Sequence, residues 1–372
     1  MKKEPSRVAA ELSGSIENQS HGQRELLFKN VALHNTSTVS LFLKSHTCTS
    51  PSSSQRQKRD NGPTQLSQHV RSLQLSWGRS RPMENHGISV FCNVLQSCPL
   101  LENVMFSSQF LLDCKEPILE ALASKPFIKE FVTLKSTWKP ENFVFPWQAH
   151  EVVSRLFCQW SSLETVELWR LSGGETSLSN PLPHTFPTLN CGIRTMILRD
   201  HNCNELTLSN LLKSCGGSIQ TLRITGPHLN LNPEAFGRVL RDSTSPNLEC
   251  LIILQPTYWR PKVSNRNMGG PGTSPGVLDI AFDSPTSLKY LKTLSFYGGQ
   301  MATGQLFTRL PKSLVKLYWE RLTQKRRHAL ELRGGCFHNI PDPAFRSPSP
   351  VGSNRFGPDE PYHLGRKPAY FH

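Results

Sequence analysis

Ile219-Gln-Thr-Leu222-Arg-Ile224 places apolar residues at its first, fourth and sixth positions and polar residues between them. Leu163-Glu-Thr-Val166-Glu-Leu168 and Ile193-Arg-Thr-Met196-Ile-Leu198 are close copies. Written as L-x-x-L-x-L, the frame begins at Val70, Leu101, Ile128, Leu163, Ile193, Ile219, Leu248, Leu291 and Leu314, at intervals of 23 to 43 residues. The alternation in its second half predicts a strand with one buried face. At the third unit Thr133 takes the sixth position, and the apolar Leu134 comes one place late.

Between these strands the period changes. Ile88, Phe91, Cys92 and Leu95 recur at helical spacing, as do Ile118, Leu119 and Leu122. Val152, Val153, Leu156 and Phe157 follow the same pattern, and so do Leu208, Leu211 and Leu212, then Phe236, Val239 and Leu240. Asn232-Pro233 signals a helix start and Gly216-Gly217 a helix stop. A unit of one strand and one helix cannot bury both its faces alone, so neighbours must stack. The expected fold is α/β, a leucine-rich-repeat-like solenoid of about nine strand–helix units with a parallel concave sheet.

Around this array, residues 1–22 are polar and aperiodic and are expected to be disordered. Residues 23–68 carry a strand through Phe28, Val31 and Leu33, a helix through Val39, Leu41, Phe42 and Leu43, and a loop from Thr47 to Asn61. The solenoid is expected over 69–333, with loops inserted at Ser172–Asn190 and Tyr258–Gly276 and a basic closing helix within Glu320–Arg333. Residues 334–372, rich in Pro, Gly, Ser and Arg, are expected to form a disordered tail.

Of the 372 residues 37% are apolar, enough for a core, and 28 Pro with 24 Gly add many chain breaks. No apolar run approaches the length of a bilayer span. The opening Met1-Lys-Lys-Glu-Pro5 has no apolar signal region, so the expected location is cytoplasmic or nuclear rather than secreted. Ten cysteines without any Cys-x-x-Cys read as reduced, packed thiols; Cys191, His201, Cys203 and Cys215 match no zinc spacing. The formal charge of +14 is spread through the repeats and the flanks Arg56-Gln-Lys-Arg59 and Lys325-Arg-Arg-His328, without aromatic interleaving. That balance suits solubility or an acidic protein partner better than sequence readout, and leaves nucleic-acid or chromatin association as the alternative.

Catalytic signatures are absent. His150-Glu151 suggests a zinc hydrolase, but Ser154 stands where the second His is needed. There is no Gly-x-Ser-x-Gly, no phosphate-binding loop and no Gly-x-Gly-x-x-Gly after a strand. No catalytic, cofactor-binding or metal-binding residue is assigned. Arg346-Ser-Pro-Ser-Pro350 offers acceptor sites for a proline-directed kinase.

The frame resembles the leucine-rich-repeat family from Val70 to Glu320, although the Asn or Cys expected three residues past the strand does not recur. Arg24-Glu-Leu-Leu-Phe-Lys-Asn-Val-Ala-Leu33, an apolar helix, and His69-Val-Arg-Ser-Leu-Gln-Leu75 resemble the stretch that follows the F-box in fungal F-box proteins with repeat domains. That resemblance implies a substrate receptor of a cullin ubiquitin ligase, its repeats holding the ubiquitination substrate. No Leu-Pro-x-Glu-like opening or three-helix pattern precedes Arg24, so docking on the cullin adaptor is not expected of this chain alone.

Strand geometry turns the slots between apolar positions, and the residue after the frame, onto the exposed concave face. Those slots hold Glu167, Trp169, Arg199, Arg223, Thr225, Tyr297, Tyr318 and Glu320. Trp, Tyr and Arg are the residue types that dominate binding hot spots, so these eight are the expected partner-binding residues. The competing reading has Trp169 and Tyr318 merely shielding neighbouring strands.

Overall fold

The computed structural model describes residues 29–47, 66–76, 86–107, 115–135, 147–173, 186–227, 230–254, 275–298, 301–320, 327–333 and 336–339. The expectations for residues 1–22, for Phe28, for most of the loops after Thr47, Ser172 and Tyr258, and for the phosphoacceptor sites near Arg346 lie outside the described residues.

Ten strands form one parallel sheet in chain order. They are β1 (Asn30–Leu33), β2 (Ser72–Leu75), β3 (Asn103–Ser107), β4 (Glu130–Leu134), β6 (Thr165–Trp169), β8 (Thr195–Arg199), β9 (Thr221–Thr225), β10 (Cys250–Leu254), β11 (Thr293–Tyr297) and β12 (Lys316–Glu320). Two short strands, β5 (Trp147–Gln148) and β7 (Leu171–Ser172), pair separately beside it. Every frame predicted from Val70 to Leu314 lands on a strand, and the frames align residue for residue: Leu73 with Val104, Met196 with Leu222, Leu251 with Leu294.

One backbone device repeats at each step. The carbonyl just before a strand accepts two amides from the next unit, as Glu164 does from Arg194 and Thr195. Lys29, Arg71, Glu102, Lys129, Arg194, Gln220, Glu249 and Lys292 do the same for their successors. The apolar residue that opens the frame sits next to each of these carbonyls and is fully or almost fully buried from Val70 to Leu314. Full burial of such a side chain contributes about 1.5–3 kcal/mol, so the opening residue anchors each rung while the carbonyl sets its register.

The helices are α1 (Thr36–Thr47), α2 (His86–Ser97), α3 (Lys115–Ala123), α4 (Ala149–Glu151), α5 (Glu205–Ser214), α6 (Pro233–Ser243), α7 (Val277–Ala281) and α8 (Leu306–Arg309). α4 runs into a π-helical turn, Val152–Phe157, which buries Val152, Val153, Leu156 and Phe157. Successive helices touch from α1 to the π-helical turn and again from α5 to α8, and their apolar faces share one core with the fourth and sixth frame positions. Asn232 accepts a hydrogen bond from the Ala235 amide with Pro233 at the first helical position, and Gly216 ends α5 at φ +58°. Both signals were legible in the sequence. Ion pairs stitch neighbouring helices: Glu205 with Arg238 at 2.7 Å, Glu116 with Arg155 at 2.6 Å, and Lys115 with Glu151. At Gly237 the α6 backbone comes so close to α7 that an added Cβ would lie 2.8 Å from the Val277 carbonyl oxygen.

The closing segment differs from expectation. Arg327–Arg333 forms a strand, β13, antiparallel to β12, where a basic helix was expected through Leu322, Ala329 and Leu330. Cys336–Asn339 adds β14, antiparallel to β13, inside the stretch expected to be a disordered tail. The sheet is therefore not parallel throughout. His328, Leu330 and Leu332 alternate as a strand requires, and only Gly334-Gly335 separates the two strands, a pair suited to a tight hairpin. Pairing with the last parallel edge outweighs a weak helical spacing.

Candidate protein-interaction face

Strand alternation divides the sheet into two sides. The fourth and sixth frame positions join the helix-side core. Val132, Ile197 and Ile252, at the fifth position, are buried too but belong to no part of that core. They lie on the opposite side, together with the third and seventh positions. The third position is half-buried and rich in threonine: Thr165, Thr195, Thr221 and Thr293.

Seven of the eight residues expected on the exposed face occupy this side. Glu167, Arg223 and Tyr318 share the fifth-position row, in register with Ile197, Ile252 and Ser295. Trp169, Arg199, Thr225 and Tyr297 share the seventh-position row with Leu254, and Glu320 holds the matching place on β12. The fifth-position row alternates polar and apolar over Val132, Glu167, Ile197, Arg223 and Ile252, so Ile197 lies between two long polar side chains. Tyr297 and Tyr318 are half-buried on strands β11 and β12, away from the Trp169 end.

Around Trp169 the structure gathers more than the sequence suggested. Arg199 donates to Glu167 at 2.5 Å, with side chains only 14% and 15% exposed. The Arg199 guanidinium also lies 5.7 Å from the Trp169 ring centroid, and Lys135 Nζ approaches the same ring at 5.5 Å. Trp169 thus has two cations near its ring, one from the residue after β4 and one from β8, an arrangement favoured by the negative faces of the indole. Trp169 is half-buried.

Thr133 explains why the frame breaks at the third unit. Its hydroxyl donates to the Glu167 carbonyl oxygen at 3.3 Å and accepts from the Trp169 amide at 2.7 Å. A side chain here replaces the backbone ladder between β4 and β6, whose regular pairing stops at Val132 and Glu167. The result fixes the backbone on either side of Leu168 and so aims Trp169.

Beyond the seventh position the chain turns left-handed. Arg170 has φ +55°, Asp200 +49° and Gly226 +60°, and the amides of all three donate to the seventh-position carbonyl of the next strand. For Arg and Asp this conformation costs roughly 1–2 kcal/mol that glycine avoids. A Cβ on Gly226 would come within 2.5 Å of Asp200 Oδ1, so the glycine makes room for that carboxylate. Loss of solvation pushes the Asp200 carboxyl up from its ordinary range, against the pull of Lys135, Arg170 and Arg199. Where the leucine-rich-repeat resemblance called for Asn or Cys, the chain has Leu171, His201 and Pro227, all buried. The Thr225 hydroxyl is buried without a hydrogen-bond partner.

Lys135, Arg170 and Asp200 are the residues of this cluster that sequence reading missed. Register counting past the frame places them, but their backbone angles carry no sequence signal. The Ser154 hydroxyl donates to the His150 carbonyl oxygen at 2.6 Å. Cys191, Cys203 and Cys215 are buried, and burial pushes Cys203 and Cys215 up to about 12. Among the described residues no three His, Cys, Asp or Glu side chains gather as a metal site would need, and no helix is long and apolar enough to cross a membrane. No protein-family model matches the chain, and the search of curated proteins returns no match.

Proposed function

We propose that this chain is a non-catalytic protein-binding scaffold, a leucine-rich-repeat-like solenoid of about nine units that holds its partner on the sheet face opposite the helices. The observation that carries the reading is the register: Trp169, Arg199, Arg223, Tyr297 and Tyr318, residues of hot-spot type from five different strands, fall into two adjacent rows on one side. The resemblance to the post-F-box stretch extends the proposal to the substrate-holding part of an F-box ubiquitin ligase receptor, working in the cytosol or nucleus. On that reading this chain does not bind the cullin adaptor by itself, and stoichiometric recovery on purified adaptor would contradict it.

A photo-crosslinking amino acid introduced in turn at Thr225, Tyr318 and, on the helix layer, Leu206 tests the face directly. The two sheet positions are expected to capture the same protein in the native cell, and Leu206 is not. Capture from Leu206 alone would overturn the proposal. The charge of +14 supports a second reading, nucleic-acid association, for which tight oligonucleotide binding with a steep salt slope is the signature.

A further inference from the structure

We infer that Cys158 and Cys191 form an oxidant-responsive pair, in which a hydroperoxide oxidises the exposed Cys158 thiol and Cys191 of the neighbouring rung closes a disulfide onto it. The inference goes beyond the binding reading and does not depend on it.

Three thiols gather at the end of the sheet where the chain enters its strands. Cys158 follows the π-helical turn five residues before Leu163, Cys191 precedes Ile193 by two residues, and Cys215 caps α5 four residues before Ile219. The strands they lead into, β6, β8 and β9, are adjacent and in register. Neighbouring strands lie about 4.7–4.9 Å apart, and a disulfide asks for Cα atoms about 4.4–6.8 Å apart, so thiols one rung apart are candidates for bridging. The Leu189 amide donates to the Ser214 carbonyl oxygen at 3.0 Å, which ties the Cys191 segment to the end of α5. Burial pushes the Cys191 thiol up and negative charge on Cys158 adds to the push; Cys215 is raised by burial and then by charge on Cys191. The thiols therefore sense one another in sequence along the rungs.

Access and freedom assign their roles. Cys158 is exposed while Cys191 and Cys215 are buried, so an oxidant meets Cys158 first. Residues 186–194 belong to no helix or strand, and a Cβ on Gly192 would meet nothing within 4 Å. That open space lets the Cys191 backbone shift toward Cys158. Cys215 is held at the end of α5, its thiol donating to the Leu211 carbonyl oxygen at 3.4 Å. In the first step the Cys158 thiolate attacks a peroxide oxygen, the O–O bond breaks, and a sulfenic acid forms as hydroxide or alkoxide leaves. In the second the Cys191 thiolate attacks that sulfur, the S–O bond breaks, and the oxygen leaves as water with the thiol's proton. The two electrons lost by the thiols are the two gained by the peroxide. Desolvation pushes the Cys158 thiol up, so thiolate is scarce and the first step is slow, a response to sustained oxidant.

The test treats the reduced full chain with hydrogen peroxide, blocks remaining thiols with N-ethylmaleimide and maps unreduced peptides by mass. The expected product joins the Cys158 and Cys191 peptides within one chain. It should be lost in Cys158→Ser and kept in Cys203→Ser, whose site lies past β8 at the opposite end of the strands. In Cys191→Ala, Cys158 should persist as a sulfenic acid that dimedone captures. In urea the single link should give way to mixed pairings. Any of four results on the natural chain overturns the inference, whether or not a variant folds. Cys158 could stay reduced, accumulate as dimedone-reactive sulfenic acid, or link to Cys215 or to a second chain. The Cys158–Cys191 link could also form in the same share in urea, so that the fold played no part.

Discussion

Thr133 stands where the other frames carry Leu, Phe, Ile or Trp, and its single hydroxyl serves two backbone groups of β6 at once. Thr133→Val keeps the shape and strands both groups in a buried setting. The expected cost is about 1–3 kcal/mol, measured by urea denaturation, with Thr133→Ser losing much less. A smaller cost in the valine variant than in the serine variant would contradict the bonding account. Gly226→Ala is expected to lose about 1–2 kcal/mol, because φ +60° and the nearby Asp200 carboxylate both exclude a Cβ. At this scale the sequence was readable for side chains that repeat and opaque for those that compensate. The break at Thr133 was visible; that the hydroxyl would replace backbone pairing was not, because the groups it bridges lie 34 and 36 residues away. Arg170 and Asp200 were equally hidden, since residue type does not reveal a left-handed angle.

Among elements, the contact between α6 and α7 decides a competition between propensity and space. Alanine at position 237 favours helix by roughly 0.8–1.0 kcal/mol over glycine. Overpacking against the α7 backbone costs typically about 1–3 kcal/mol, and carbonyl oxygen cannot move aside as a side chain can. Gly237→Ala is therefore expected to lower the thermal midpoint, and a rise would show that the two helices can separate freely. The Glu205–Arg238 pair between α5 and α6 predicts a pH dependence. The Arg238 hydrogen bonds hold the Glu205 carboxyl below its ordinary value. Its folded pKa lies below its unfolded one, so the stabilisation is complete above the unfolded carboxylate value and disappears as pH falls through the folded value. The difference in urea midpoint between the natural chain and Glu205→Gln should shrink over that window, and a constant difference would rule the pair out as its source. Element starts and stops were legible at Asn232-Pro233 and Gly216 because capping is local. β13 was not, because Arg327–Arg333 fits either period and is settled by the free edge of β12.

For the whole molecule, unequal burial of the thiols makes a prediction that needs no ligand. Cys92, Cys98, Cys191, Cys203 and Cys215 are buried and Cys158 is exposed. Because only an accessible thiolate reacts, mass mapping of iodoacetamide adducts on the folded chain should find Cys158 labelled well before those five, and early labelling of Cys203 would contradict the packing. The rungs themselves vary in length from 23 to 43 residues, yet each begins on the same doubly bonded carbonyl, so differences in rung length leave the strands in register. The β13–β14 hairpin gives the array a direction. The edge that β12 would otherwise present is taken up by β13, paired in the antiparallel sense, with β14 beyond it. The strand edge on which a second copy could continue the parallel stack is therefore occupied by the chain's own hairpin, and an edge so paired no longer invites head-to-tail addition.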